Sequence, residues 1–394
     1  MKILHTSDWH LGQNFFEYDR SDDHRSMVEQ LAKLIKDEEP DALIIAGDVY
    51  DISTPNTTVQ REFAEYMVKL HDAFPQMAIV CISGNHDSAS RHEIYQTPWE
   101  ALNVYMVGKP DFENLENNII RIGDKGWVVS VPYTNERYLT DDFYSRLEQT
   151  AKEVTGETLP IVYVGHAAIK DSDFTGHKCQ DNRFIGGIEC TSIDELGKVY
   201  DYLALGHIHK AQTFGSNRAR YCGSPLPVSF DEVKAGYEHG FTIVEIEAHN
   251  NAPEIRTVEV ECPRPLVNIP SDGYAEWADA IDELKRFPSD IEAFIRLNIL
   301  LKGNDLLPYD KETQISNALI GKKARHANIN PTRELVEAKE GNTVTSMTLQ
   351  ELQKTDPKEI LKLFAEAEGK VFDAEFEEMF DIVYRTVNNP DYED

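Results

Sequence analysis

Metal-type ligands follow five short apolar runs of this chain at the point where each run ends. The runs cover residues 3–7, 42–47, 78–84, 161–165 and 202–206, and the ligands that follow them are Asp8 and His10, Asp48, Asn85, His166, and His207 and His209. A buried strand that presents polar residues beyond its carboxyl end is how open α/β sheets build ligand sites. We therefore expect all seven side chains to share one site.

These seven side chains supply two carboxylates, one amide and four imidazoles. A mixed nitrogen and oxygen set without thiolate suits Mn²⁺, Fe²⁺ or Zn²⁺, and a structural zinc site would close with only four ligands. Two metal ions that share a carboxylate account for the larger number. Such a pair acidifies a bridging water and neutralises charge on a phosphate, so the set predicts a phosphate ester as substrate.

A glycine stands immediately before the ligand in four of these runs, at Gly47, Gly84, Gly165 and Gly206. Glycine lets the backbone turn sharply after a strand and approach a metal without a Cβ in the way. An isolated histidine or Gly-Asp pair is more often a core or turn residue. The prediction therefore rests on the ordered combination of all the motifs.

Composition narrows the class of protein. The chain has 394 residues, 41% of them hydrophobic, and its length favours two or three folded units. No run approaches the roughly 20 apolar residues of a membrane span, and residues 1–7 leave no room for a signal peptide, so we expect a cytoplasmic protein without membrane contact. The five cysteines show no CxxC spacing and are expected to be reduced.

The net charge of −30, taken alone, disfavours binding of nucleic acid by this chain. Bound cations or a basic partner subunit would offset that charge.

The order of strand-like and helical patterns predicts mostly parallel central strands up to about residue 265. Helices are expected from Asp22-Asp23 and from Thr57-Thr58, between the ligand-bearing strands, and a hairpin is expected around residues 123–126. After Pro263 and Pro265 the pattern reads helix (272–286), strand (291–300), helix (309–320) and strand (323–330). We predict three regions: 1–265, an α+β capping domain at 266–343, and an amphipathic helical segment at 344–394.

The motif series resembles that of the calcineurin-like metallophosphoesterases. The matching motifs are Asp8-x-His10, Gly47-Asp48, Gly84-Asn85-His86-Asp87, Gly165-His166 and Gly206-His207-Ile208-His209. Residues 5–12, residues 47–51 and the stretch from Tyr221 to Glu232 are similar to signatures of the SbcD family, the nuclease subunits of bacterial SbcC-SbcD complexes. This resemblance implies an α/β fold, a four-layer α-β-β-α sandwich with a small α+β cap and C-terminal helices.

The resemblance also implies a role for each site residue. Asp8, His10, Asp48 and His209 would hold one divalent metal, most simply Mn²⁺, and Asp48 would bridge to a second metal held by Asn85, His166 and His207. His86 would face the scissile phosphate. Archaeal and eukaryotic relatives carry histidine at the position of Asp51, whose carboxylate either orients His86 or caps a turn.

The function implied is that of a metal-dependent DNA exonuclease and endonuclease. It would cut single strands or hairpins, digest duplex ends from 3′ to 5′ with an SbcC-type ATPase, and work as a homodimer within a heterotetramer in DNA repair, recombination and replication. No GxxxxGK[ST] run occurs in the chain, so ATP hydrolysis would belong to the partner. The alternatives are a di-metal phosphatase or phosphodiesterase on small substrates and a scaffold without catalysis.

The sequence leaves the roles of two features open. The basic cluster of Lys322, Lys323, Arg325 and His326 is either a path for a phosphate backbone or a solvated strand edge. The apolar stripe from Phe372 to Val387 either packs on the chain itself or docks on the base of the SbcC coiled coil, which the resemblance favours.

Overall fold

A computed structural model of the chain describes residues 1–94, 96–135, 138–140, 142–170, 172–176, 191–214, 218–303 and 305–334, with Lys358, Leu361, Lys362 and Phe380. The strands within these residues are β1 (Lys2–Thr6), β2 (Asn14–Phe15), β3 (Tyr18–Asp19), β4 (Ala42–Ala46), β5 (Ala78–Ile82), β6 (Val104–Val107), β7 (Ile119–Ile122), β8 (Gly126–Val131), β9 (Ile161–His166), β10 (Tyr202–Gly206), β11 (Gln212–Phe214), β12 (Ala219–Tyr221), β13 (Gly240–Glu245), β14 (Glu254–Glu259), β15 (Leu266–Ile269), β16 (Phe294–Leu301) and β17 (Arg325–Arg333). The helices are α1 (Ser21–Glu38), α2 (Thr57–Ala73), α3 (Ala89–Glu93), α4 (Gln96–Glu100), α5 (Phe143–Thr155), α6 (Phe230–Lys234), α7 (Trp277–Arg286) and α8 (Lys311–Ala318), with a 3₁₀ turn at Leu115–Asn118.

Two six-stranded sheets carry the ligand-bearing strands. The first has the order β14-β13-β1-β4-β5-β6, in which β1, β4, β5 and β6 run parallel. The second has the order β11-β12-β10-β9-β8-β7, in which β12, β10, β9 and β8 run parallel. The expected parallel central strands are present, and the predicted hairpin is the antiparallel pair β7–β8.

The period-two alternation of the strands sorts their side chains into layers. In β1, Leu4 packs with the helices α1 and α2, whereas its neighbour Ile3 packs against residues of the second sheet. In β9, Val162 faces the first sheet and Tyr163 packs with α5. Helices therefore cover the outer face of each sheet, which confirms the four-layer α-β-β-α sandwich.

Polar residues mark the starts of the two predicted helices of the first layer. α2 starts at Thr57 because the side chain of Asn56 accepts hydrogen bonds from the main-chain N–H groups of Thr58 and Val59. α1 carries Asp22 and Asp23 in its first turn, where carboxylates favour the positive end of the helix dipole.

The region after residue 265 forms a three-stranded sheet, β15-β16-β17, with α7 and α8 packed in one apolar cluster. Both predicted helices and both predicted strands are present, with α7 starting at Trp277. The strand β15, parallel to β16, was not predicted. It has only four residues between Pro265 and Pro270, so its sequence reads as a loop.

Residues 1–301 and 305–332 form one compact unit, and residues 302–304 with 333–394 form a second. The division at residue 265 stays a prediction. The predicted helical segment at 344–394 lies outside the described residues, apart from the four isolated positions named above. In the described part of the chain, every helix is too short or too polar to cross a bilayer.

A buried ion-pair network ties α1 to the segment that leads into the cap. Asp23 has no exposed surface, and its two carboxylate oxygens accept from Arg20 Nε at 3.1 Å and Arg264 Nε at 2.8 Å. Arg20 and Arg264 are themselves buried. Buried charges of this kind are stable only while each keeps its partner.

We predict that Asp23→Ala lowers the free energy of unfolding by about 3–5 kcal/mol, because it leaves two buried guanidinium groups without a carboxylate. Urea unfolding followed by circular dichroism measures the change. The control is Asp22→Ala, which removes an exposed ion pair with Arg25 and should leave the unfolding midpoint nearly unchanged. Equal effects of the two substitutions would contradict the prediction.

Candidate metal centre

The ligand-bearing strands of both sheets end at the same edge of the sandwich. A Cβ on Gly206, at the end of β10, would overlap with the carbonyl oxygen of Ala46, at the end of β4. The main-chain N–H of His207 reaches across to the carboxylate of Asp8, with 3.1 Å to Oδ1. Gly206 thus permits a close approach of the two sheets, whereas the sequence had predicted a sharp turn and an approach to the metals.

All seven predicted ligands converge at this edge: six form two groups of three, and the amide of Asn85 lies between the two imidazoles of the second group. Ligand atoms of Asp8, His10 and His209 lie within 4.8 Å of one another, and so do those of Asp48, His166 and His207. Asn85 Oδ1 lies 3.0 Å from His166 Nε2 and 2.9 Å from His207 Nδ1. The predicted convergence is therefore observed in the geometry.

Three of the imidazoles are oriented by an oxygen behind the ring. His10 Nδ1 lies 3.2 Å from Asp51 Oδ1, His166 Nδ1 lies 2.8 Å from the Ala46 carbonyl, and His209 Nδ1 lies 2.8 Å from Glu232 Oε1. With Nδ1–H donated backwards, the Nε2 atom of each ring faces the site and offers its lone pair when the ring is neutral; the Nε2 atoms of His10 and His209 are 3.2 Å apart. Neutral imidazoles aimed at buried carboxylates form a donor set that fits divalent cations.

Backbone strain also concentrates here. Asp8, His10, Asp48 and His207 have φ values of 54°, 48°, 49° and 102°, in the left-handed region that non-glycine residues rarely adopt. Gly84 passes so close to Asp48 that a Cβ would overlap with its carboxylate and main-chain nitrogen. Strain of this kind persists where the surrounding structure fixes a functional geometry.

The charges at the site shift several pKa values. Burial alone would raise the pKa of Asp48, but the neighbouring His166 and His10 hold it well below its usual range. Burial alone would lower the pKa of His10, but the hydrogen bond to Asp51 and the charges of Asp48 and Asp8 raise it to about 9. For His166, Asp48 likewise overcomes burial and raises the pKa to about 9. His209 differs, because burial dominates and lowers its pKa to about 3.

His86 borders the site, and its ring contacts the main chain of Asp51. The sequence left two roles open for the Asp51 carboxylate, orienting His86 or capping a turn. His86 Nδ1 lies 2.7 Å from the main-chain carbonyl of Asp51, while the Asp51 carboxylate is paired with His10. The main-chain carbonyl, and not the carboxylate, therefore contacts His86. The backbone turns after Tyr50, and the direction of this turn cannot be read from the residue types alone.

Two buried carboxylates at the site received no role from the sequence. Asp87 accepts from the N–H groups of Val49, Tyr50 and Gly84 at 3.1, 2.9 and 2.9 Å and so joins the loops after β4 and β5. Glu232 accepts from His209, as described above. Each of these residues is the last one of a motif that resembles the family. An acidic residue that belongs to such a motif but is not assigned as a ligand was the signal that could have identified them.

A cavity of about 370 Å³ opens over the ligands. The candidate ligands that line it are His10, Asp48, Asn85, His207 and His209. His86, Asp51 and Phe16 line it too, as do Arg296 from β16 and Asn328 from β17. The capping region therefore forms part of the cavity wall.

The basic cluster has partners within the cap and its neighbourhood. Lys322 Nζ donates to the carbonyl of Phe287 at 2.6 Å, and Arg325 lies 3.6 Å from Glu292 and over the ring of Tyr18. A role in binding a phosphate backbone stays a prediction.

We predict that cation binding at pH 7 releases about two protons per chain, because His10 and His166 have pKa values near 9 and must lose a proton to act as ligands. These pKa values lie above the ordinary 6.5, so proton competition operates below pH 9 and vanishes above it. The apparent affinity of each group should therefore rise about tenfold per pH unit between pH 7 and 9. Anaerobic titration calorimetry with Mn²⁺ in buffers of different ionisation enthalpy counts the protons; a heat independent of buffer would contradict the prediction.

Comparison with known proteins agrees with this geometry. Residues 1–211 match the calcineurin-like phosphoesterase family. Three D subunits of SbcCD nucleases are similar to this chain. The subunit from Rhodobacter capsulatus is 29% identical over 73% of this chain and 76% of its own length, and the subunit from Escherichia coli K12 is 28% identical over 72% of this chain and 76% of its own length. The subunit from Bacillus subtilis is 29% identical over 76% of this chain and 79% of its own length. The matched residues include every candidate ligand, and the chain belongs to the calcineurin-like phosphoesterase family.

Proposed function

We propose that this chain is the nuclease subunit of an SbcC-SbcD-type complex and hydrolyses DNA phosphodiesters at a two-cation centre, with Mn²⁺ as the preferred ion. The observation that carries the proposal is the pair of ligand groups, Asp8-His10-His209 and Asp48-His166-His207, two members of each of which line one cavity. The similarity to the three nuclease subunits, each over more than 70% of this chain, supports DNA as the substrate.

In this proposal one cation is held by Asp8, His10, His209 and Asp48, and the second by Asp48, Asn85, His166 and His207. Asp48 suits a shared ligand because its Oδ2 lies 3.3 Å from His166 Nε2 and its charge also acts on His10. When bound, two such cations acidify a water molecule and neutralise charge on a phosphate. The protein contributes the orientation of the imidazoles and the burial of the two carboxylates, in which setting these charges act more strongly.

His86 is proposed to act on the phosphate rather than as a ligand. Its Nδ1–H is donated to the Asp51 carbonyl, and its main-chain N–H donates to Asp48 Oδ1 at 2.8 Å, so the ring is fixed beside the cavity. In its imidazolium form the ring still has Nε2–H to donate, either to a phosphate oxygen or to the departing 3′ oxygen.

The acidic charge of the chain is compatible with a DNA substrate in such a complex. Two bound divalent cations offset charge where the phosphate must approach, and an ATPase subunit of the SbcC type would supply further contacts with DNA. We propose that the chain cuts single strands and hairpins, digests duplex ends from 3′ to 5′ with that subunit, and forms a homodimer within a heterotetramer that serves DNA repair, recombination and replication in the cytoplasm.

We predict that His86→Ala keeps two Mn²⁺ per chain and the wild-type unfolding midpoint but lowers cleavage of a hairpin oligonucleotide by about 100-fold or more, because a donor aimed at developing charge is lost. Cleavage is measured with and without the partner ATPase. Undiminished cleavage by His86→Ala would show that the residue has another role.

Asp51→Ala is the matched control, since it keeps the main-chain carbonyl that orients His86 and removes only the carboxylate behind His10. Its defect should therefore be weaker Mn²⁺ binding that excess Mn²⁺ repairs. A parallel assay with p-nitrophenyl phosphate tests the phosphatase alternative: turnover of the small ester without cleavage of any DNA would overturn the nuclease proposal.

A further inference from the structure

A buried arginine of the capping region contacts the turn that carries one of the site's orienting carboxylates. Arg296, on β16, has only 4% of its surface exposed. Its Nη1 donates to Asp231 Oδ1 at 2.9 Å, its Nε donates to Asn268 Oδ1 at 2.8 Å, and its guanidinium lies 5.1 Å from the ring centre of Phe230. Such a buried charge holds its partners in one arrangement, because losing Asp231 would leave its charge uncompensated and losing Asn268 would leave its buried Nε–H without that acceptor.

The turn in question begins the short helix α6 and holds two consecutive carboxylates with different partners. Asp231 points to Arg296 of the cap, while Glu232 accepts from His209 Nδ1 at 2.8 Å through Oε1 and from the Val228 N–H at 2.8 Å through Oε2. Glu232 is 1% exposed. A shift of the turn would therefore move the carboxylate that orients a candidate metal ligand.

Other contacts from the cap fix the same turn. Asn268 Nδ2 donates to the carbonyl of Phe230 at 3.2 Å. The Phe230 ring packs in an apolar cluster with Phe15 of the β2–β3 hairpin and with Leu266 and Phe294 of the cap. Hydrogen bonds, a cation–π contact and apolar packing thus act on one short segment next to the site.

We propose that Arg296 is a positioning residue for the metal centre: it fixes the Phe230–Glu232 turn, and through Glu232 it sets the orientation of His209. This inference rests on the proposed two-cation function of the site. The order of contacts runs from Arg296 to Asp231, along the main chain to Glu232, and from Glu232 to His209. Groups that orient a metal ligand from behind typically change metal affinity by about 10- to 100-fold when removed.

The test measures Mn²⁺ binding by calorimetry in the full chain, together with the unfolding midpoint. Arg296→Met should weaken one of the two Mn²⁺ sites by about 10- to 100-fold and leave the other within about twofold. Arg296→Lys, which retains the charge, should restore part of the affinity. Glu232→Gln should weaken the same site, and the Arg296→Met/Glu232→Gln double variant should lose little more than the stronger single variant, because both act through one path.

Arg264→Met is the matched control. Arg264 is also a buried arginine, paired with Asp23 and lying 5.3 Å from the centre of the Phe294 ring, but its carboxylate partner is on α1 rather than α6. It should lower the unfolding midpoint and leave both Mn²⁺ sites unchanged. A loss of Mn²⁺ affinity equal to that of Arg296→Met would attribute the effect to general destabilisation and overturn the proposal.

Asp231→Ala keeps the test decisive if Arg296→Met does not fold. Its side chain is 22% exposed, so its removal leaves no cavity in the core. It costs stability by leaving Arg296 without a carboxylate, but Asn268 and the Phe230 ring still contact the guanidinium while the ion pair with the turn is lost. Unchanged affinity in a folded Arg296→Met or Asp231→Ala variant, or additive losses in the double variant, would overturn the positioning role. A wild-type chain that binds fewer than two Mn²⁺ ions would instead refute the proposed metal centre itself.

Discussion

Two buried carboxylates, Asp8 and Asp48, set the main physical constraint on this molecule. They are 1% and 2% exposed, and both lie where the carboxyl ends of strands from the two sheets meet. An ionised carboxylate removed from water is costly unless positive charge or hydrogen-bond donors compensate it. The surrounding features supply that compensation: Asp8 accepts from the His207 N–H, Asp48 accepts from the His86 N–H, and the raised pKa of His166 keeps a positive charge next to Asp48 when no cation is bound.

The same constraint makes the two ligand groups unequal. His10 and His209 each have a carboxylate behind the ring, from Asp51 and Glu232, whereas His166 has the neutral carbonyl of Ala46. An oxygen behind an imidazole fixes the orientation of the ring and favours its role as a ligand, although burial still dominates the pKa of His209. Among the contacts given above, those behind the imidazoles of the Asp8 group are carboxylates, and the one behind His166 is a carbonyl.

The sequence alone predicted the parallel central strands and the convergence of the seven candidate ligands because both patterns are local, whereas the four-layer arrangement was implied by the family resemblance. Each ligand follows a short apolar run, and the glycine before it marks a close approach that Gly84 and Gly206 make in the structure. The roles of Glu232 and Asp51 were not predictable in this way. Glu232 meets His209 through folding of a separate segment, and at Asp51 only the path of the backbone decides whether carbonyl or carboxylate faces His86.

The order of segments along the chain also connects the cap to one ligand group. Phe15 follows His10 by five residues and packs against Phe294 of the cap, with 5.5 Å between ring centres. The turn that holds Glu232 follows His209 and is bound by Arg296 of the cap. Both segments that the cap contacts thus lead back to ligands of the group around Asp8. Because closely packed interiors transmit small displacements instead of absorbing them, a movement of the cap would reach this group through both segments at once.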